Sequence, residues 1–546
     1  MLSVLLLLLG GIGFILLKNW VKVRKFWIMR TRAVQFLDEI PGPPTIPLLG
    51  SAHLFKWDNE EFTYQLDRWA REYMVKVQPT TGVMKFSRQI EGWGREIFNN
   101  TENPLRDHGV MKVWVGPVPM VFLASCDAAK PVLESNTLIT KPSQYNIVKQ
   151  WIGEGLLIST GKKWYARRKM ITPTFHFNIL QGFYEIFFAQ ANILADLVDK
   201  FADTDQTVDL LPYVKRCALD IICETAMGTR INSQTGKNVD YVQAVNRLSQ
   251  LIWDHERFPW LWFQPIWYLT GMGFEFDRYV KLSSDFTRKV ILQRRGVLEG
   301  KGLLGEMQSM SPEEIRKHKL SFLDLMIGMQ TTHNLSDEDI RAEVDTFMFE
   351  GHDTTSSGIG WALWWLGQEL DIQKKCHDEI DEFFGDSDRA IIAEDLKSLP
   401  YLEMCLKEAL RLTPPVPLFG RTLDHDLKIA HYTIPEGCTV FMSPMAAARD
   451  PRHFKHPDMF YPEHFSQEQI SQRDPYSFIP FSAGPRNCVG QKFALAEEKS
   501  LMATLLRRFK FITMNPEPSN RFLPELILKP SMGFVFNVQR RKQVKS

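Results

Sequence analysis
The sequence predicts a mainly α-helical fold with small β-sheets, preceded by one N-terminal membrane-spanning helix. Three observations carry that prediction. Leu2 to Leu17 is almost wholly apolar and is followed by Lys18, Lys22, Arg24 and Lys25. From Cys126 onward, helix-period stretches dominate and Pro or Gly punctuates them, with strand-like runs near Val110–Val115, Leu427–Thr433 and Thr439–Met442. A long helical pattern opens at Ser336-Asp337-Glu338-Asp339, a cap followed by acidic first-turn residues, and runs to about Leu370.

With Asn19 to Val23 included, the apolar segment reaches spanning length, roughly 20 residues. A cleaved secretory signal predicts a charged region before the run and a small-residue cleavage site after it, and neither is evident. The basic residues on its carboxyl side place the rest of the chain in the cytosol. Residues 1–23 are therefore expected to be a signal-anchor, and 24–50 a basic connector with a proline-rich hinge. That hinge, Pro41-Gly42-Pro43-Pro44-Thr45-Ile46-Pro47, cannot be helical and reads as a stiff spacer. Residues 51–546 form the folded domain.

Hydrophobic residues at 44% and charged residues at 24% describe a globular protein with ample core. The formal net charge of +1 predicts neither a nucleic-acid binder nor an acidic tail. Seven scattered cysteines without a C-x-x-C pair do not make a disulfide framework and are expected to be reduced. No nucleotide-binding glycine loop is present, so electrons for any redox chemistry must come from another protein.

The stretch Phe481-Ser482-Ala483-Gly484-Pro485-Arg486-Asn487-Cys488-Val489-Gly490 precedes a helix-forming run from Gln491. A cysteine binds metal as its thiolate, and the positive end of a helix starting just after Cys488 favours that anion. Gly484 and Gly490 let the backbone pass close to a flat ligand, and Arg486 offers a fixed positive fork for a carboxylate. A lone cysteine is usually a small buried hydrophobe. The surrounding pattern argues against that here.

The middle of the long helix reads Phe349-Glu350-Gly351-His352-Asp353-Thr354-Thr355-Ser356-Ser357-Gly358, polar and β-branched where a buried helix is expected. Such a sequence invites a local widening or bulge. Glu350 precedes Thr354 by four residues, which puts both on one face. The hydroxyls of Thr355, Ser356 and Ser357 are expected to bond back to carbonyls one turn earlier. Glu408 and Arg411 likewise share a helix face, and Leu412-Thr413-Pro414-Pro415 ends that helix. Trp164 and Arg168 stand at i and i+4.

The ten residues from Phe481 to Gly490 resemble the haem-binding loop of the cytochromes P450 at every defining position. The resemblance extends from Pro41 to the carboxyl terminus and implies the P450 fold with haem b (iron protoporphyrin IX) on Cys488. It assigns Asp353 and Thr354 to the oxygen-binding groove, as the acid and alcohol that bring protons to dioxygen. It makes Glu408 and Arg411 the structural E-x-x-R pair, whose third partner, normally arginine, is His464 here. Arg486, Trp164, Arg168 and Arg421 become candidates to hold the haem propionates. The phrase from Phe349 to Thr355 resembles the family 4, fatty-acid ω-hydroxylase branch, in which the glutamate matching Glu350 can form an ester with a haem methyl group. Family members run directly from a helix like Phe62–Glu72 into a strand like Val110–Val115, so residues 73–108 are read as a surface insertion, with a gene-model artefact as the alternative.

The resemblance implies a monooxygenase in the endoplasmic reticulum membrane, its catalytic domain facing the cytosol. Its partners are O2, a lipophilic substrate, the membrane, NADPH-cytochrome P450 reductase and cytochrome b5, with no nucleic acid. Fatty acids hydroxylated at or near the ω-carbon are the expected substrates. Steroids, terpenoids and foreign compounds are the alternative, and a non-catalytic haem carrier or sensor is an alternative of another class. Lys162, Lys163, Arg167, Lys169 and Lys492 would give an acidic reductase a basic face to dock on. The aromatic stretch Trp253 to Thr270 reads as core, with an interfacial loop lining a route from lipid as its alternative.

Overall fold
The computed structural model describes residues 20–46, 48–73, 109–175, 181–310, 320–385, 387 and 389–541. Most of the anchor stretch and nearly all of the 73–108 insertion lie outside these residues. Helix α1 (Trp20–Leu37) is followed by an extended proline segment and α2 (Asn59–Tyr73). A β-hairpin, β1 (Val110–Val115) and β2 (Val118–Leu123), leads into α3 (Cys126–Glu134), α4 (Asn146–Ile152) and α5 (Gly161–Ile171). Helices α6 (Tyr184–Asp199), α7 (Leu211–Thr225), α8 (Val239–Arg257) and α9 (Met272–Gly300) complete the first half. The second half contains α10 (Asp337–Leu366), α11 (Leu370–Phe384), α12 (Pro400–Leu412), β3 (Phe419–Thr422), β4 (Thr439–Met442) and α13 (Gln491–Arg508).

α10 is the axis. Its start is set as the sequence predicts: the Ser336 side chain accepts from the Asp339 N–H while Asp339 reaches back to the Ser336 N–H. Nearly every residue from Ile340 to Leu366 is buried, and α7, α12 and α13 pack around it. Trp361 and Trp364 are fully enclosed there, packing edge-on at 5.2 Å and contributing large apolar area.

The sheets are small, as expected. The largest has the order β1-β2-β4-β3, with β2 and β4 parallel and the other pairs antiparallel. The run from Leu427 to Thr433 resolves into a hairpin, Leu427–Ile429 against Tyr432–Ile434. A separate three-stranded sheet joins Val208–Asp209, Val535–Arg540 and Phe509–Thr513.

Two expectations change. The connector, expected to be a stiff spacer, is packed onto the domain: Ala33, Leu37 and Ile40 lie in the core behind the sheet, and the Lys112 N–H donates to the Pro41 carbonyl at 2.9 Å. The polar middle of α10 produces no break, and the helix runs unbroken from Asp337 to Leu366. Its hydroxyls are absorbed by back-bonding, with Thr354 donating to the Glu350 carbonyl and Thr355 to the Gly351 carbonyl, both at 2.6 Å. Among the described residues, no helix is long and apolar enough to cross a membrane.

Candidate active site
The Cys488 loop is built on left-handed backbone at Ser482 (φ 58°) and Gly484 (φ 67°). Gly484 is required twice over, since that φ disfavours a side chain and a Cβ there would overlap the Leu133 carbonyl oxygen of α3. The Cys488 N–H donates to the Phe481 carbonyl at 2.9 Å, closing the loop. Arg168 of α5 clamps it from the side, donating to the Asn487 backbone and side-chain oxygens, each at 2.6 Å. Arg486 donates to the Ser159 and Leu157 carbonyls at 2.8 and 3.0 Å and lies over the Trp164 ring at 4.8 Å. Trp164 is therefore the buried platform for Arg486.

The sulfur of Cys488 is accessible, yet burial pushes the thiol up to about 11, opposed by the Gly490 N–H at the foot of α13 and by Arg168. Glu350 and Thr354 of α10 also keep accessible surface, while Ala342 to Phe349 before them and Thr355 to Leu366 after them are buried. Their i, i+4 spacing turns both to one face, as predicted. Burial pushes Glu350 up to about 7, against the pull of Lys141 and with a push from Asp353, and Glu350 in turn raises Cys488.

Lys141, Arg421 and Arg486 face one another in the same region. Burial holds all three below their usual values, and mutual repulsion lowers Lys141 and Arg486 further, Arg486 to about 9. Among the described residues, Glu350 is the carboxylate that attracts Lys141. Desolvated cations in such excess require anions. The donor set therefore fits a flat iron cofactor with two carboxylate arms: a thiol, a carboxyl and a hydroxyl in one region, with arginines and a lysine for the arms. Haem has those features.

Asp353 does not share the accessible face of Thr354. It is fully buried and ion-paired with Lys215 of α7, which also donates to Asn246. One Asp353 oxygen, Oδ2, has no hydrogen-bond partner. Of the expected back-bonds, Thr355 makes its own, Ser356 bonds to the Asp353 carbonyl at 3.1 Å, and Ser357 instead reaches Leu528 across the core at 2.8 Å. Thr354, expected to be free for oxygen contact, is back-bonded as well.

The Glu408–Arg411 pair is wholly buried. Arg411 donates to both carboxylate oxygens at 2.8 and 2.7 Å, and to the carbonyls of Ala448, Pro457 and Met459 at 2.9, 2.6 and 2.8 Å. It thus organises the segment ahead of the Cys488 loop, with no direct bond to the loop itself. His464 does stand third, its Nδ1 at 3.1 Å from Glu408. Its Nε2 accepts the His456 N–H at 3.4 Å, so Nδ1 carries the proton and donates to the carboxylate.

Sequence reasoning missed Lys141 and Lys215. Lys141 lies in a loop with no periodicity to mark it. Lys215 sits within the buried stripe of Val214, Ala218 and Ile222, where a lysine without a nearby acid is a signal in itself. Arg167, expected on the basic face, is buried and paired with Asp339 at 2.8 Å, leaving Lys162, Lys163, Lys169 and Lys492 exposed.

A thiol-centred, cation-rimmed site under a polar helix defines a haem-thiolate oxidoreductase. The sequence model of the cytochrome P450 family matches residues 83–538. Cytochrome P450 4V2 of Homo sapiens is 41% identical over 500 residues, covering 91% of this chain and 88% of that protein. Cytochrome P450 4V2 of Mus musculus is 39% identical over 503 residues (91% and 89%), and cytochrome P450 4c3 of Drosophila melanogaster 36% over 519 residues (94% and 91%). This chain belongs to the cytochrome P450 family, with relatives in family 4, and is a haem-binding monooxygenase.

Proposed function
We propose that the enzyme hydroxylates fatty acids at or near the ω-carbon, at the endoplasmic reticulum membrane, with electrons from NADPH-cytochrome P450 reductase and cytochrome b5. The observation that carries this reading is the pair of partly exposed groups, Glu350 and Thr354, on one face of α10, with Glu350 near enough to Cys488 to raise its thiol. When bound, haem supplies dioxygen activation, inserting one oxygen atom into a C–H bond while the other becomes water. Cys488 would hold its iron, Phe481 and Gly484 would shape the loop around that cysteine, and Arg486, Arg421 and Lys141 would hold its carboxylates.

Thr354, partly exposed on that face, would exchange its bond to the Glu350 carbonyl for one to an incoming water. Asp353, held by Lys215 with one oxygen unpaired, stores the negative charge that draws protons inward. Glu350, pushed by burial up to about 7, would be the carboxyl for an ester to a haem methyl group, the methyl C–H and the carboxyl O–H being lost as the C–O bond forms and the two electrons passing to dioxygen during turnover. Haem leaving quantitatively from turned-over protein in acid-acetone would rule the ester out. The exposed Lys162, Lys169 and Lys492 flank the thiolate side and suit an acidic reductase. Electron-transfer rates that ignore salt concentration would count against that docking face.

Product analysis of the reconstituted enzyme with a panel of fatty acids and unrelated lipids tests the substrate. Terminal and near-terminal alcohols of fatty acids are expected. Steroid or terpenoid oxidation without them would refute the reading.

A further inference from the structure
Two of the seven free cysteines meet. Cys376 stands in the buried stripe of α11 with Gln373 and Ile380, and Cys405 in the buried stripe of α12 with Leu402 and Ala409. Both are fully buried, and their sulfurs lie 3.5 Å apart although 29 residues separate them in the chain. A single buried cysteine is a small hydrophobe. Two that face each other across a helix contact are a dithiol.

The contact is held in place close by. Glu379 of α11, three residues after Cys376, accepts the backbone N–H groups of Tyr401 and Leu402 at 2.6 and 2.9 Å and so fastens the first turn of α12. Tyr401 precedes Cys405 by four residues and shares its helix face. Tyr401 is partly exposed, with the Lys375 ammonium 5.4 Å from its ring centre. Its hydroxyl oxygen is buried and has no hydrogen-bond partner among the described residues. Buried polar groups are nearly always paired, so this hydroxyl marks a polar spot beside the thiols.

We propose that Cys376 and Cys405 form an oxidation site at which a hydroperoxide, entering beside Tyr401, converts the dithiol into a disulfide that ties α12 to α11. One sulfur attacks the peroxide; its S–H bond and the O–O bond break, giving a sulfenic acid and an alcohol, or water when the oxidant is hydrogen peroxide. The Tyr401 O–H donates a hydrogen bond to the departing oxygen. The second sulfur then displaces water from the sulfenic acid as the S–S bond closes. The two electrons lost by sulfur have reduced the peroxide, and both thiol protons leave on oxygen. The sulfurs approach by about 1.5 Å to reach the roughly 2.05 Å of a disulfide. In a reducing compartment such a bond is transient and responds to oxidant.

The tie acts on the haem loop through its supports. α12 carries Glu408 and Arg411, three and six residues past Cys405, and Arg411 fixes the carbonyls of Ala448, Pro457 and Met459 ahead of the Cys488 loop. α11 also packs on α13, which starts three residues past Cys488. A covalent link between α11 and α12 joins these supports and restricts the unfolded chain over the 29-residue separation. Oxidation is expected to slow haem loss.

The full-length haem-loaded protein is treated with hydrogen peroxide and, in parallel, with diamide, which oxidises thiols and spares haem. After unfolding in urea with N-ethylmaleimide and digestion, mass spectrometry is expected to find the Cys376 and Cys405 peptides joined. Diamide-treated protein is expected to pass its haem to apomyoglobin about threefold more slowly than untreated protein, and dithiothreitol to reverse both effects. Cys376→Ala and Cys405→Ala, each first shown by its carbon monoxide spectrum to hold haem, form no such cross-link, and diamide leaves their haem transfer unchanged. Both thiols blocked by N-ethylmaleimide after either oxidant, or a cross-link of either one to another cysteine, would overturn the assignment. The Cys376–Cys405 cross-link without slower haem transfer would overturn its action on the haem loop.

Discussion

Replacing Lys215 by Met would strand a carboxylate in the centre of the protein. Lys215 and Asp353 have side chains only 2% and 0% exposed, and they pair across the α7–α10 contact. Removing one member of such a pair costs about 3–5 kcal/mol, because the remaining charge is left without water or partner. Against a typical total of about 5–15 kcal/mol this is a large fraction. Asp353→Asn should cost less, since Lys215 keeps its bond to Asn246. The double variant removes both charges and should recover roughly 1–2 kcal/mol of the Lys215→Met loss.

The pair also sets a pH signature. Burial pushes the Asp353 carboxyl up, but Lys215 outweighs it and the net direction is downward. A depressed acid stabilises the fold above its unfolded value, about 3.9, and loses that contribution as pH falls through the folded value. The advantage of wild type over Asp353→Asn should therefore be full near neutrality and shrink below about pH 4. Urea unfolding of the detergent-solubilised protein, followed by circular dichroism, reads both effects. A Lys215→Met cost under about 1 kcal/mol, with no recovery in the double variant, would refute the buried-pair reasoning.

Gly484→Ala places a methyl group against the Leu133 carbonyl at a left-handed φ, so the cysteine loop cannot close and the carbon monoxide spectrum should lose its thiolate-type band. Arg411→Lys replaces a planar fork that makes five hydrogen bonds by a point charge with three donors, and should lower both the melting temperature and haem retention. Glu343, 1% exposed and accepting the Leu156 N–H at 2.8 Å, is pushed by burial from 4.5 to about 7. A raised acid binds more protons folded than unfolded, so it subtracts stability as pH rises between those values. Glu343→Gln should gain on wild type across that window by up to about 3 kcal/mol, read from paired melting curves.

The parts of the site that were legible in the sequence are those whose chemistry is local. Cys488 announced itself through the glycines and arginine beside it; helical spacing put Glu350 and Thr354 on one face, and the resemblance to the family's helix singled them out. The cap at Ser336 and the helix from Gln491 came from short-range rules of the same kind. Pairings across the fold were not legible: Lys215 meets Asp353 at a separation of 138 residues, and Arg168 meets Asn487 at 319. Asp353 and Thr354, adjacent on the helix, point about 100° apart, and only the folded structure shows the lysine that Asp353 meets. The smooth course of α10 also escaped prediction, because back-bonding satisfies hydroxyls that otherwise suggest a bulge. His464 was recognised as a departure, but its tautomer became clear only once the His456 N–H was seen facing its ring.

The central claim is that Cys488 ligates haem as a thiolate in a closed, cation-rimmed site. The reduced, carbon-monoxide-bound difference spectrum of the full-length protein tests it most directly. A thiolate-type Soret band in wild type that disappears in Cys488→Ala is the predicted result. An imidazole-type band, or the same thiolate band surviving in Cys488→Ala, would contradict it.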